Sequence, residues 1–274
     1  MAVGLAPGWT TVMVELEVLS DRGLAPLRPD QGHGLVFELL SAWDPEAATE
    51  LHRDPRDKGF RSGWLQTAEG DLPGPDQPQG TVQYWPLGAT RPEVRQMLYA
   101  LAGDAPEEVR FGANVLGVRM VWPGVDVAAE DAIDESGDPA WADVDFQTPT
   151  AFRGRDSAGR NVVHSWPAPR LLIEGLARRW ERMIPVPLPV DLRAMDEGAV
   201  TIERWAGRCL RAEVERQTVW GGVGQFRYRL PVEPGAARAA AVLLRWAEAA
   251  GVGWRAPHGF GQVAVELGGT QRGR

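Results

Sequence analysis

The sequence has one cysteine, one lysine and few histidines, and each scarcity excludes something. Cys209 alone cannot build a disulfide framework or a cysteine-rich zinc site, and a reducing, cytoplasmic setting is the expectation. The four histidines are scattered, with no His-x-x-x-His or Cys-x-x-Cys spacing, so no metal and no other cofactor is expected. There is no Gly-x-Ser-x-Gly elbow of a serine hydrolase. No apolar run approaches the ~20 residues of a membrane span, and residues 1–10 lack the basic start of a signal peptide. Of 29 basic residues only Lys58 is lysine. In an arginine-rich background, a compact ammonium on a flexible stem suggests a task that a planar guanidinium does not perform.

What is present suits a folded, two-part protein. The 274 residues are 44% hydrophobic and 24% charged, ordinary values for a globular chain long enough for two domains. The charge is uneven. Residues 1–150 hold 10 basic and 25 acidic groups, residues 151–274 hold 19 and 12. The second half can attract phosphate although the whole chain carries −8, because exposed charges farther apart than about 10 Å are largely screened.

Pattern predicts the elements. Thr11–Leu19 reads as a strand and 26–34 as a loop. Leu35, Val36, Leu39, Leu40 and Trp43 recur at helical spacing. Asp44-Pro45-Glu46 starts a second helix, with Asp44 as N-cap and Pro45 at the first position, running to about His52 and followed by a charged loop, 53–59. Further on come a Pro/Gly-rich hairpin loop at 70–80, a strand at 81–85, a helix at 92–102 and a strand or strand pair at 109–122. The acidic stretch 126–145 is poor in large apolar residues and reads as a linker, dividing an N-terminal domain, 1–125, from a C-terminal domain, 146–274. The second half repeats the mixture. Residues 146–152 are extended, Arg170–Met183 is a helix with Leu171, Leu172, Leu176 and Trp180 inward, and Cys209–Val219 and Gln225–Leu230 are strands. Ala236–Ala250 is a helix and Val263–Leu267 the last strand. Two such halves suit a pair of α+β domains.

The most distinctive segment is Gly251-Val252-Gly253-Trp254-Arg255-Ala256-Pro257-His258-Gly259-Phe260-Gly261, between a helix and a strand. Glycines let backbone amides approach a phosphate, although a tight structural turn reads equally well. It is not a P-loop, since no Gly-Lys-Ser/Thr follows, and its glycines follow a helix instead of opening one as in a dinucleotide fingerprint.

Helix, GVG, spacer, GFG and strand in that order resembles the glycine-rich loop that closes the RAMP proteins of CRISPR systems. Thr148-Pro149-Thr150-Ala151-Phe152, Pro167-Ala168-Pro169 and the helix with Arg178-Arg179-Trp180 resemble the C-terminal domain of the CRISPR precursor-RNA processing endoribonucleases. Gly34-Leu35, Asp44-Pro45, Leu51-His52 and Lys58-Gly59-Phe60 are similar to that family's first helical region. The resemblance implies two tandem ferredoxin-like domains and metal-independent cutting within a CRISPR repeat, with the RNA's own 2′-hydroxyl attacking the adjacent phosphate to leave 2′,3′-cyclic phosphate and 5′-hydroxyl ends. It places His52 on the catalytic histidine of archaeal-type members and Lys58 on their lysine; their tyrosine falls at Phe37, which has no hydroxyl. Other members carry the histidine near His33.

Imidazole moves protons near neutral pH, which suits His52 and His33, and Lys58 six residues on could neutralise charge on phosphorus. His258 is read as touching RNA together with Gly251, Gly253, Gly259 and Gly261. Arg153, Arg155, Arg178, Arg179 and Arg182 are candidate phosphate contacts. The expected partner is a CRISPR repeat RNA, with a CRISPR interference complex and a second copy of the chain left open, and no membrane. The alternative is a non-catalytic RNA-binding RAMP subunit of such a complex.

Overall fold

The computed structural model describes residues 5–270 except 26, 55–56, 72, 74–76, 156–157, 195, 197, 215–216 and 234. The first half runs β1 (Gly8–Val18), α1 (Pro29–Trp43), α2 (Pro45–Arg53), β2 (Phe60–Ser62), β3 (Val82–Ala89), α3 (Pro92–Gly103), β4 (Glu108–Phe111) and β5 (Asn114–Ala128). Its antiparallel sheet has the order β2-β3-β1-β5-β4. After α4 (Ala129–Glu135), the second half runs β6 (Pro139–Thr150), β7 (Phe152–Arg155), β8 (Asn161–His164), α5 (Pro169–Met183), β9 (Thr201–Val214), β10 (Gln217–Arg229), α6 (Ala236–Ala250) and β11 (Val263–Thr270). Its sheet has the order β11-β6-β10-β9, and β7 and β8 form a separate hairpin. Each sheet lies in the ferredoxin-like order, fourth strand, first, third, second, with β4 added at one edge of the first. The fold is therefore the tandem ferredoxin-like α+β arrangement expected.

Local chemistry accounts for the helix starts. α1, α2, α3 and α5 each open on proline, whose missing N–H is no loss in the first turn and whose φ is already helical. At α2 the Asp44 carboxylate accepts from the amides of Glu46 and Ala47 at 3.1 and 3.0 Å, the N-cap that the sequence predicts.

Several boundaries differ from the sequence reading. α1 begins at Pro29, so His33 stands on a helix and not in a loop. Trp43, expected inward, is 41% exposed at the end of α1. The strand expected across 209–219 is the end of β9 and the start of β10, where Val214 pairs with Gln217. The hairpin loop expected at 70–80 lies partly outside the described residues. The acidic stretch 126–145 is ordered: it completes β5, forms α4 and begins β6. Small side chains suffice there. Ala129 and Ala132 are buried, and in β6 Ala142, Val144 and Phe146 point inward while Trp141, Asp143 and Asp145 alternate outward.

α6 decides how the halves meet. Twelve of its fifteen residues are buried, the mark of a helix enclosed on all sides. Its leucines and Trp246 belong to the second core. It also reaches the first sheet, where the Trp246 indole donates to Thr90 Oγ1 at 2.9 Å and Ala249 lies against Gly88, so closely that a Cβ on Gly88 would stand 2.3 Å from the Ala249 carbonyl oxygen. The buried Arg61 guanidinium of β2 donates to the Glu248 carbonyl at 3.0 Å. Burial lowers its pKa to about 10, against the pull of the Glu248 carboxylate.

Candidate active site at the seam between the halves

Five rings meet where the glycine-rich segment touches the first half. His33 and Phe37 are one turn apart on α1, His52 ends α2, Phe60 lies on β2, and His258 comes from the 3₁₀ turn Ala256–His258. The His33 ring is stacked on His258 at 4.3 Å between centroids and 13° between planes. It lies parallel to Phe60 at 5.5 Å and edge-on to Phe37 at 5.1 Å. Phe37 also meets His52 edge-on at 5.4 Å and Phe60 at 5.7 Å. Phe60 is buried, His33, Phe37 and His258 are half-buried, and His52 is exposed. Three of the four imidazoles of the chain thus join one cluster, His33 and His52 against Phe37 and His258 stacked on His33. Imidazoles can both take and give a proton near neutral pH.

Lys58 has a different place from the one expected. Its ammonium donates to the carbonyl oxygens of Leu51, His52 and Asp54 at 2.8, 3.0 and 2.6 Å. These are orphan carbonyls at the end of α2, and three convergent acceptors suit a compact ammonium better than a fork. Burial lowers the Lys58 pKa, with Asp54 pulling upward and the Arg91 guanidinium pushing down. Its donors are directed at the backbone that carries His52.

The glycine-rich segment is tied to the protein by its own backbone. The amides of Gly251, Gly259 and Gly261 donate to Ala247, Ala256 and Pro149, and that of Trp254 to Ala151. Gly251, Gly259 and Gly261 are buried and Gly253 is half-buried. The amides of these three buried glycines therefore face the protein, contrary to a phosphate cradle. Gly261 shows what the glycines do: its φ is +65°, and a Cβ would stand 1.9 Å from the Val252 carbonyl oxygen. Thr148 Oγ1 donates to the Gly259 carbonyl at 2.7 Å, and the Trp64 indole to that of His258 at 3.1 Å. The segment is a rigid arm that delivers His258.

Of the arginines, Arg179 is also reassigned. It is buried, pairs with Asp57, and donates to the carbonyls of Gly251 and Ala250 at 2.6 and 2.9 Å. It ties the end of α6 to the loop that carries Lys58. Arg178 is exposed and paired with Glu174, and Arg182 is exposed on the same helix. Arg153 and Arg155 are exposed on β7. The Arg153 guanidinium sits 3.9 Å over the Trp254 ring, and that of Arg255 4.9 Å. Arg255 has φ +69°, the one positive value at a residue other than glycine among the described residues, a conformation costing about 1–2 kcal/mol. Such strain persists where the side chain is needed. Sequence pattern alone could not reveal the His33–His258 pair, because it forms only when the two halves dock. Trp254 as a seat for two guanidiniums was missed for the same reason.

Among the described residues no group of three or more His, Cys, Asp or Glu is placed to hold a metal ion, and no helix is long and apolar enough to cross a membrane.

Residues 144–263 match the family described as CRISPR-associated endoribonuclease Cas6. Solved structures resemble the chain over nearly its whole length. A Cas6 product complex gives a TM-score of 0.74 at 23% identity, covering 94% of this chain and 100% of that one. A second Cas6 product complex gives 0.70 at 25%, covering 94% and 99%. Cas6 of Thermus thermophilus gives 0.69 at 24%, covering 96% and 100%. No curated protein matches the sequence.

Proposed function

We propose, from a family match and a fold that together support the Cas6 endoribonuclease family, that this chain cuts CRISPR precursor RNA within its repeats without a metal ion. The 2′-hydroxyl on the 5′ side of the cut loses its proton to an imidazole and attacks the adjacent phosphorus. The P–O5′ bond breaks, the leaving oxygen takes a proton from a second imidazole, and the products are a 2′,3′-cyclic phosphate and a 5′-hydroxyl. We assign proton transfer to His33, His258 and His52, and positioning to Phe37 and Lys58. General acids and bases of this kind contribute about 10²–10⁴-fold each. To Arg153 and Arg255, whose guanidiniums lie over Trp254, we assign contact with RNA phosphates. The observation that carries the reading is the His33–His258 stack beside Phe37 and His52, built from both halves.

The test is a gel assay of a CRISPR repeat RNA in EDTA, with and without a 2′-deoxy group at the cut site. Cutting that survives EDTA and stops with the deoxy substitution is expected. Tight binding without cutting would instead make the chain a non-catalytic RAMP subunit.

A further inference from the structure

Two large aromatic surfaces lie outside the site, on the β9–β10 ribbon. The continuous pairing from Gln217 to Arg227 sets Trp205 opposite Phe226 and Arg211 opposite Trp220. Residues two apart on a strand share a face, so Trp205 and Trp220 project from the same side. Each is 54% exposed. Small residues occupy the intervening positions of that face, Gly207, Cys209, Gly222 and Gly224, with the Ser165 carbonyl lying over Gly222. Six residues of strand separate Trp205 from Arg211, on the order of 20 Å.

Trp205 is held ready. One face of its indole lies parallel to the buried Phe226 ring at 6.1 Å and 14°, and Trp166 meets it edge-on at 4.6 Å. Just over half of the residue is still open to solvent. On that same face Arg211 lies directly across from Trp220, exposed and paired with the exposed Glu213, while Arg204 and Arg208 are exposed on the opposite face of the ribbon. Planar apolar faces set apart along a cationic ribbon fit a polyanion with spaced flat groups. A protein partner would match a continuous apolar patch better.

We infer that the β9–β10 ribbon is a binding site for single-stranded RNA flanking the cut repeat, with bases stacked on Trp205 and Trp220 and a phosphate near Arg211. This rests on the proposed binding of a CRISPR repeat RNA. The ribbon's tip joins it to the site: Val214 and Val219 pack with Phe260 of the glycine-rich segment.

The test compares a cleavage-blocked, 2′-deoxy CRISPR repeat RNA with the same RNA bearing ten single-stranded uridines at each end. Wild-type protein should bind the extended RNA more tightly. Trp205→Ala and Trp220→Ala should each weaken that binding about tenfold, within the range for one lost stack, and leave the bare repeat unaffected. Trp205→Phe should keep most of the gain. Equal affinity for the two RNAs in wild type, or variants that lose as much on the bare repeat, would overturn the proposal. So would variants that bind normally but lose self-association, which would reassign the ribbon to protein contact. Should Trp205→Ala not fold, wild type is irradiated with 5-iodouridine in the extensions: adducts on Trp205 or Trp220 support the site, and adducts only elsewhere overturn it. Wild type that binds but never cuts the unblocked repeat refutes the nuclease reading and leaves this one standing.

Discussion

The imidazole of His33 lies flat against that of His258, 4.3 Å away, although one belongs to the first helix and the other to the penultimate loop. Rings in such contact can act as one unit in proton transfer. His33→Ala and His258→Ala should each slow single-turnover cutting by about 10²–10⁴-fold. The double variant should be little worse than either, because groups that act as a unit are not additive. Multiplied losses would show that the rings work independently.

Phe37 touches both His33 and His52 and has no proton to give. Phe37→Ala should lower the single-turnover rate by roughly tenfold to 100-fold through misplaced imidazoles, with RNA affinity nearly intact. Phe37→Leu should fall between. A pure loss of affinity would move Phe37 to the RNA-binding surface.

Lys58→Met removes three charge-assisted bonds to the end of α2 and should cost about 1.5–3 kcal/mol of stability, read as a lowered denaturant midpoint. Lys58→Arg should rescue only partly, since a fork cannot converge on three carbonyls. The pH dependence has a definite sign. The folded-state pKa is lowered, so between it and the ordinary lysine value near 10.4 the unfolded chain binds more protons, and stability from this group rises with pH across that window. The difference between wild type and Lys58→Met, measured by denaturation at stepped pH, should show that slope.

Arg179 joins Asp57 to the carbonyls that open the glycine-rich segment. Arg179→Met strands a half-buried carboxylate and two carbonyls and should destabilise by about 3–5 kcal/mol. Asp57→Asn should cost less, and the double variant should show strong coupling. At a temperature where Asp57→Asn stays folded, its cutting rate should still fall, because the arm carrying His258 is no longer fixed to the loop beneath His52.

Much of the fold was legible because local rules and tertiary demands agreed. Asp44-Pro45 starts α2, and the alanine-rich 236–250 is the helix α6. Where they disagreed, the sequence misled. Gly32 and Gly34 suggested a loop, yet they lie within α1, and a Cβ on Gly32 would stand 2.4 Å from Ser62 Oγ. The segment 209–219 reads as one strand, yet it belongs to two. Val214 and Val219 both face inward although one position is even and the other odd, because they lie on the paired strands β9 and β10. In the site, His33, His52 and the arginines on β7 were found as residue types able to do the chemistry. The capping of α2 by Lys58 and the burial of Arg179 depend on which carbonyls happen to be orphaned nearby.

An enclosed α6 also means that neither half is a free-standing module. Strip away residues 1–128, and an alanine-rich surface with an indole on it is laid bare to water; strip away the rest, and the sheet beneath loses its roof. Expressed separately the two pieces should aggregate, and mixed during refolding they should reassemble. Histidines supplied by opposite pieces would then become active only on reunion, so that recovered cutting would itself report that the seam has closed.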